Sequence, residues 1–148
     1  GDANINDANH ISGPSRTGEG LFRSITNALE EAKIAANQID FISAHGTATL
    51  YNDEMESIAF QRVGLSNIPT NSFKGYYGHT LGASGLLETV ITIACMKHNV
   101  YLPSFGFNVL GVSQPMNIVK KVVHQSMNIA LKTASGFGGS NSAIVLKK

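Results

Sequence analysis

Two histidines stand at positions where a side chain can reach a ligand. His45 directly follows a short apolar run, 39–44, with the length and Ile/Phe content of a buried strand. His79 follows the next such run, 68–72, by one turn, and opens a long apolar helix. In layered α/β folds the loops at the carboxyl ends of strands gather ligands, so both imidazoles are expected at one edge of a sheet. A single histidine in such a loop is more often bonded to backbone. Two in equivalent contexts, with Lys74 between them, point to a site. Lys74 is isolated among Phe73, Gly75, Tyr76 and Tyr77, which makes it either a surface residue or the partner of a buried acid. Glu88 sits midway along the apolar helix, where an unpartnered charge is costly, so a Lys74–Glu88 pair is the economical arrangement. Asp53 and Glu56, three apart, can face the same region from a second helix.

Small residues bracket these groups. Gly46, Thr47, Gly78 and, further on, Gly138 mark loops where backbone can approach a ligand closely. The cluster Gly136-Phe137-Gly138-Gly139 lacks the Lys-Ser/Thr ending of a phosphate-binding loop and does not match G-x-G-x-x-G. It reads as a tight turn or a close-approach loop with Phe137 as its only large side chain. Cys95 lies within a packed helical run and reads as a small core hydrophobe. His10, His98 and His124 have no metal-ligand spacing, so no metal is expected; His98 reads as a cation at a helix C-terminus.

The elements that must hold these residues alternate. Residues 1–16 read as loop. Residues 17–36 read as an amphipathic helix, with Leu21, Ile25, Ala28, Leu29 and Ala32 on one face, Ser15 or Thr17 as cap and Asn37 as stop. A second helix over 53–63 is capped by Asn52 or Asp53 and ends at Gly64. Residues 74–80 read as a Gly-rich turn, 83–98 as a helix buried on most sides, and 100–117 as loop. Strands over 127–133 and 142–147, joined by the glycine turn, form an antiparallel end. The order implies an α/β fold of layered helices and a mixed sheet.

Composition narrows the function classes. The chain has 148 residues, the length of one domain (1–148), with 14% charged residues and a net charge of +1. Its basic residues are scattered, so no nucleic-acid partner is expected. No apolar run spans a bilayer and no export signal is present, so no membrane partner is expected. One cysteine excludes an internal disulfide. The first residue is Gly rather than Met, which leads to the expectation of a piece of a longer protein.

The motifs His45-Gly46-Thr47-Ala48-Thr49, Asn52-Asp53 with Glu56, Lys74-x-x-x-Gly78-His79-x-x-Gly82-Ala83-x-Gly85 and Gly136-Phe137-Gly138-Gly139-Ser140-Asn141, in this order, resemble the C-terminal half of β-ketoacyl-acyl-carrier-protein synthases. These are condensing enzymes of the thiolase superfamily. Asp7-Ala8-Asn9-His10 also resembles a segment early in that half. The resemblance implies the C-terminal half of a thiolase-like fold, here lacking its first, central strand, and a nucleophilic cysteine supplied by an absent N-terminal half. It implies an acyltransferase that condenses malonyl carrier protein with an acyl thioester, in fatty acid or polyketide synthesis, without a cofactor. His45 and His79 match the family's enolate-stabilising histidines, and Lys74 its electrostatic lysine. Glu88, Asp53 and Glu56 match supporting acids. Phe137 matches the aromatic gate of the acyl pocket, with its N–H part of the oxyanion hole. Ser135 stands where the family commonly has an aromatic residue, and Ala48 where it has Ser or Gly. The implied partners are an acyl carrier protein bearing acyl or malonyl phosphopantetheine, the N-terminal half of the same protein, and a second copy in a homodimer, in the cytoplasm. A non-catalytic relative resembling a chain-length factor and a thiolase-type acyltransferase are the alternatives. The 148 residues alone are expected to be inactive.

Overall fold

The computed structural model describes residues 1–4 and 10–148. Its elements are β1 (Asp2–Asn4), α1 (Glu19–Ala32), β2 (Phe41–Ser43), α2 (Leu50–Val63), β3 (Thr70–Asn71), α3 (Lys74–Tyr77), α4 (Ser84–His98), β4 (Val100–Tyr101), β5 (Val123–His124), β6 (Ile129–Gly136) and β7 (Ser140–Lys147). Five strands make one mixed sheet in the order β1-β7-β6-β2-β3. β2 is parallel to β3 and β6, whereas β7 runs antiparallel to β6 and β1. β4 and β5 pair separately.

Strand alternation divides the core into two layers. Ile42 and Leu131 point to the side covered by α1 and α2, where Leu21, Ile25, Met55 and Phe60 are buried. Phe41 and Ala130 point to the opposite side and pack with Phe73, Cys95, Met96 and Tyr101. The Phe41 and Tyr101 rings meet edge-on, 5.5 Å apart. Level with Ser43, Lys132 shares the second side with Ala130, whereas Thr133 shares the first side with Leu131.

Several expectations are corrected. The sheet does not lack a first strand: β1 pairs with β7 over Asp2–Asn4, and β6 lies directly beside β2, leaving no gap. Three residues at an edge carry too little alternation to be legible. The expected motif at residues 7–9 lies outside the described residues. α1 stops at Lys33, whose left-handed N–H bonds Glu30 O and Leu29 O, so Asn37 is not its stop. Its N-cap is Gly18, whereas Ser15 and Thr17 bond each other. α2 begins at Leu50, before Asn52 and Asp53, and ends as expected at Gly64. Residues 74–77 make a helical turn, and the 100–117 segment contributes β4. α4 is not buried on most sides: Ser84, Glu88, Thr92, Cys95 and Met96 face inward, whereas Leu86 is 72% and Val90 55% exposed. No helix among the described residues is long and apolar enough to cross a membrane.

Phe41 is fully buried at the centre of the second layer. Phe41→Ala is predicted to lower unfolding stability by about 3–5 kcal/mol, measured as the shift in a urea transition.

Candidate active site

The loop after β2 is shaped by two acids of α2. Glu56, fully interior, accepts the backbone N–H groups of His45 (2.8 Å) and Gly46 (2.6 Å), the Asn52 amide (3.1 Å) and the Thr133 hydroxyl (3.3 Å). Asp53 accepts the Thr47 N–H at 3.2 Å. Burial raises the pKa of both carboxyls, while the donated hydrogen bonds oppose the rise. Gly46 has φ +44°, and a Cβ there would lie 2.5 Å from Ser72 Cβ. The contact admits only glycine and lets Ser72 Oγ donate to Gly46 O at 2.6 Å.

Lys74, the first residue of α3, is buried. Its ammonium donates to Glu88 Oε1 (2.7 Å), His45 O (2.5 Å) and His45 Nδ1 (3.2 Å), matching three donors with three acceptors. The expected Lys74–Glu88 pair is therefore present. Ser84 Oγ also donates to Glu88 Oε1, at 3.2 Å. Sequence reasoning missed Lys132. Its ammonium, 2% exposed, pairs with Glu88 Oε2 and donates to Ser43 O (3.3 Å), Ala44 O (3.2 Å) and Thr133 O (2.5 Å). Burial lowers its pKa and Glu88 opposes the change. The signal was a lone lysine inside an apolar strand run, at a position alternating toward the helix that carries Glu88.

The two imidazoles stand edge to face, their centroids 5.2 Å apart. An ammonium at Nδ1 of His45 leaves its ring proton on Nε2. His79 Nδ1 accepts the Leu81 N–H at 3.0 Å, which likewise leaves the proton on Nε2. Burial first, then the charges of Lys74, Lys132 and His79, lower the His45 pKa to about 3. The result is a pair of adjacent N–H donors at the end of the sheet.

His45, His79, Lys74, Glu88, Asp53, Glu56, Gly46, Thr47 and Gly78 are thus brought together. A cleft of about 770 Å³ opens beside them, walled by Gly46–Leu50 and His79 on one side and by Phe105–Val112 on the other. Phe105 reaches this position because Gly75 has no side chain: a Cβ there would lie 2.2 Å from Phe105 O. Phe137 and Gly138 are not brought to the cleft wall. They occupy the β6–β7 turn, with Phe137 80% exposed and Gly138 N–H bonded to Ile11 O at 2.7 Å. Cys95 is buried in the second core layer, and burial raises its thiol pKa.

Residues 2–108 match the family described as "Beta-ketoacyl synthase, C-terminal domain". The chain belongs to this family. Among its relatives is the 3-oxoacyl-[acyl-carrier-protein] synthase 2 of Rhizobium meliloti (strain 1021), 35% identical over 146 residues, covering 96% of this chain and 34% of the relative. The granaticin polyketide putative beta-ketoacyl synthase 1 of Streptomyces violaceoruber is 32% identical, covering 100% of this chain and 36% of the relative. The solved structure of the ishigamide ketosynthase/chain length factor superposes with a TM-score of 0.91 at 29% identity, covering 99% of this chain and 36% of that one. The fold is that of thiolase-like ketosynthase C-terminal domains, and the chain spans about a third of the length of these relatives.

The unfolded imidazole of His45 takes up a proton near its ordinary 6.5, the folded one only near 3. Between these values the unfolded chain binds more protons, so this group's contribution to stability falls as pH falls. The raised pKa values of Asp53 and Glu56 act in the opposite direction. His45→Gln is predicted to flatten the loss of stability between about pH 6.5 and about pH 4, measured by urea unfolding across that range.

Proposed function

We propose that this chain is the C-terminal domain of a 3-oxoacyl-[acyl-carrier-protein] synthase acting in fatty acid or polyketide synthesis. The observation that carries this reading is the edge-to-face pair His45 and His79, each with Nδ1 engaged by a hydrogen-bond donor, with His79 lining the cleft and His45 buried directly behind it. In the reaction an acyl group is held as a thioester on a cysteine outside this chain. The malonyl thioester loses CO2, and the electrons of the broken C–C bond pass into an enolate. The enolate carbon then attacks the acyl carbonyl and the cysteine leaves as thiolate. Two fixed N–H donors aimed at the malonyl thioester oxygen stabilise the charge as it develops.

In this reading Lys74 acts electrostatically and by holding His45, and Glu88, Asp53 and Glu56 support the two loops. Gly46, Thr47, Gly78 and Gly138 let backbone approach the thioesters. Phe137 gates the acyl pocket and lends its N–H to the oxyanion hole. Its support is topological: β6 is parallel to β2, so the turn after β6 leaves the sheet at the end that carries His45. The N-terminal half of the same protein supplies the cysteine and covers apolar side chains exposed on α4, such as Leu86 and Val90. An acyl carrier protein delivers both thioesters, and the complete protein works as a cytoplasmic homodimer.

The test uses the complete gene product. Malonyl-carrier-protein decarboxylation and 3-oxoacyl formation are expected in the wild type, with decarboxylation falling about 10²–10³-fold in His45→Ala and in His79→Ala. Decarboxylation without condensation would replace this reading with that of a partner lacking the cysteine, and no decarboxylation would overturn it. The 148 residues alone are predicted to give no 3-oxoacyl product in the same assay.

A further inference from the structure

The mechanism above makes no use of Lys132, a buried cation in the centre of the sheet. Its ammonium meets four oxygens: Glu88 Oε2 and the carbonyls of Ser43, Ala44 and Thr133. Ser43 and Ala44 are the two residues before His45, and the next carbonyl, that of His45 itself, is taken by Lys74. Two ammonium groups thus hold three consecutive carbonyls at the end of β2, and one carboxylate joins the two ammoniums. We propose that Lys132 is a positioning residue, its ammonium clamping the end of β2 and Glu88 so that Lys74 holds the His45 imidazole by Nδ1 against the His79 ring. This proposal deepens the decarboxylation reading and rests on it for its kinetic test.

The physical argument concerns what removal leaves behind. Without the ammonium, two strand-end carbonyls, the Thr133 carbonyl and one carboxylate oxygen converge on an interior space, and buried acceptors without donors are costly. The nearest relief is rotation of Glu88 or displacement of residues 43–45, and either one moves the donor that fixes His45. An uncharged side chain of the same length fills the space and leaves the acceptors unmet. The groups facing His45 and its clamp are Lys74 from α3, Glu88 from α4, Lys132 from β6, Glu56 and Asp53 from α2, and His79. Lys132 is one of two lysines among them, so its loss also removes a charge that favours the neutral imidazole.

The experiment uses the complete gene product carrying Lys132→Met, an uncharged side chain of similar length, or Lys132→Ala, which leaves room for n-propylammonium. Malonyl-carrier-protein decarboxylation and the ¹⁵N titration of the His45 ring are followed together. Lys132→Met is expected to lose about 10–100-fold in decarboxylation rate and to titrate His45 at higher pH than the wild type. Lys132→Ala is expected to be similarly slow, and to recover several-fold in n-propylammonium chloride but not in n-propanol or tetramethylammonium chloride. Wild-type rate and titration in Lys132→Met would overturn the proposal, as would equal recovery of Lys132→Ala in n-propanol. If Lys132→Met does not fold, the amine recovery of Lys132→Ala decides the question. If the wild type does not decarboxylate, the functional reading fails, and the His45 titration decides: an unmoved titration in either variant overturns the proposal.

Discussion

The site depends on one buried carboxylate. Glu88 is fully interior and is shared between Lys74 and Lys132. Lys74 and Lys132 both reach toward this carboxylate and both lie close enough to His45 to favour its neutral form. Alone, a buried ion pair is weak evidence for stability, because desolvation offsets much of the attraction. Here it has a geometric result. Lys74 also donates to the carbonyl and Nδ1 of His45, and Lys132 to the carbonyls of Ser43, Ala44 and Thr133, which fixes the strand end from which the His45 ring projects. Glu56 holds the N–H groups of His45 and Gly46 from the opposite layer. The backbone at the histidine is thus gripped by cations on its carbonyl side and by a carboxyl on its amide side.

The layers of the fold explain why these grips come from different elements. Adjacent strand residues point to opposite faces of the sheet. Lys132 accordingly reaches Glu88 on α4, while its neighbour Thr133 reaches Glu56 on α2. The parallel β2–β6 pairing brings residue 132 level with residue 43, so a clamp on the end of β2 requires only the adjacent strand. The second imidazole comes from the loop between α3 and α4, a separate support, and the two rings meet only because both loops leave the same edge of the sheet. The cleft beside them is closed on its far side by a segment whose placement depends on Gly75 having no side chain.

Much of this was legible in the sequence. His45 and His79 follow apolar runs at equivalent places, and a carboxylate inside an apolar helix demanded a cation, which Lys74 supplies. Lys132 also stood out as a lone lysine in an apolar strand run, but Lys74 already met the demand of Glu88 for one cation, which left no call for a second. β1 escaped notice because an edge strand of three residues has no periodicity to read. The expectation of a deeply buried α4 failed because apolar residues around a helix report what that surface prefers, not which parts of this chain cover it. Phe137 was identified by its motif, yet the structure leaves it exposed and away from the cleft wall.

The central claim is that burial, aided by the charges of Lys74 and Lys132, holds His45 neutral, and that the Lys74 ammonium at Nδ1 places its proton on Nε2. Imidazole ¹⁵N shifts of His45 in the complete wild-type protein test it most directly. The account predicts an unprotonated, acceptor-type Nδ1 and a protonated Nε2, both unchanged between about pH 8 and about pH 5. A His45 ring that titrates near the ordinary 6.5, or one that carries its proton on Nδ1, would contradict it.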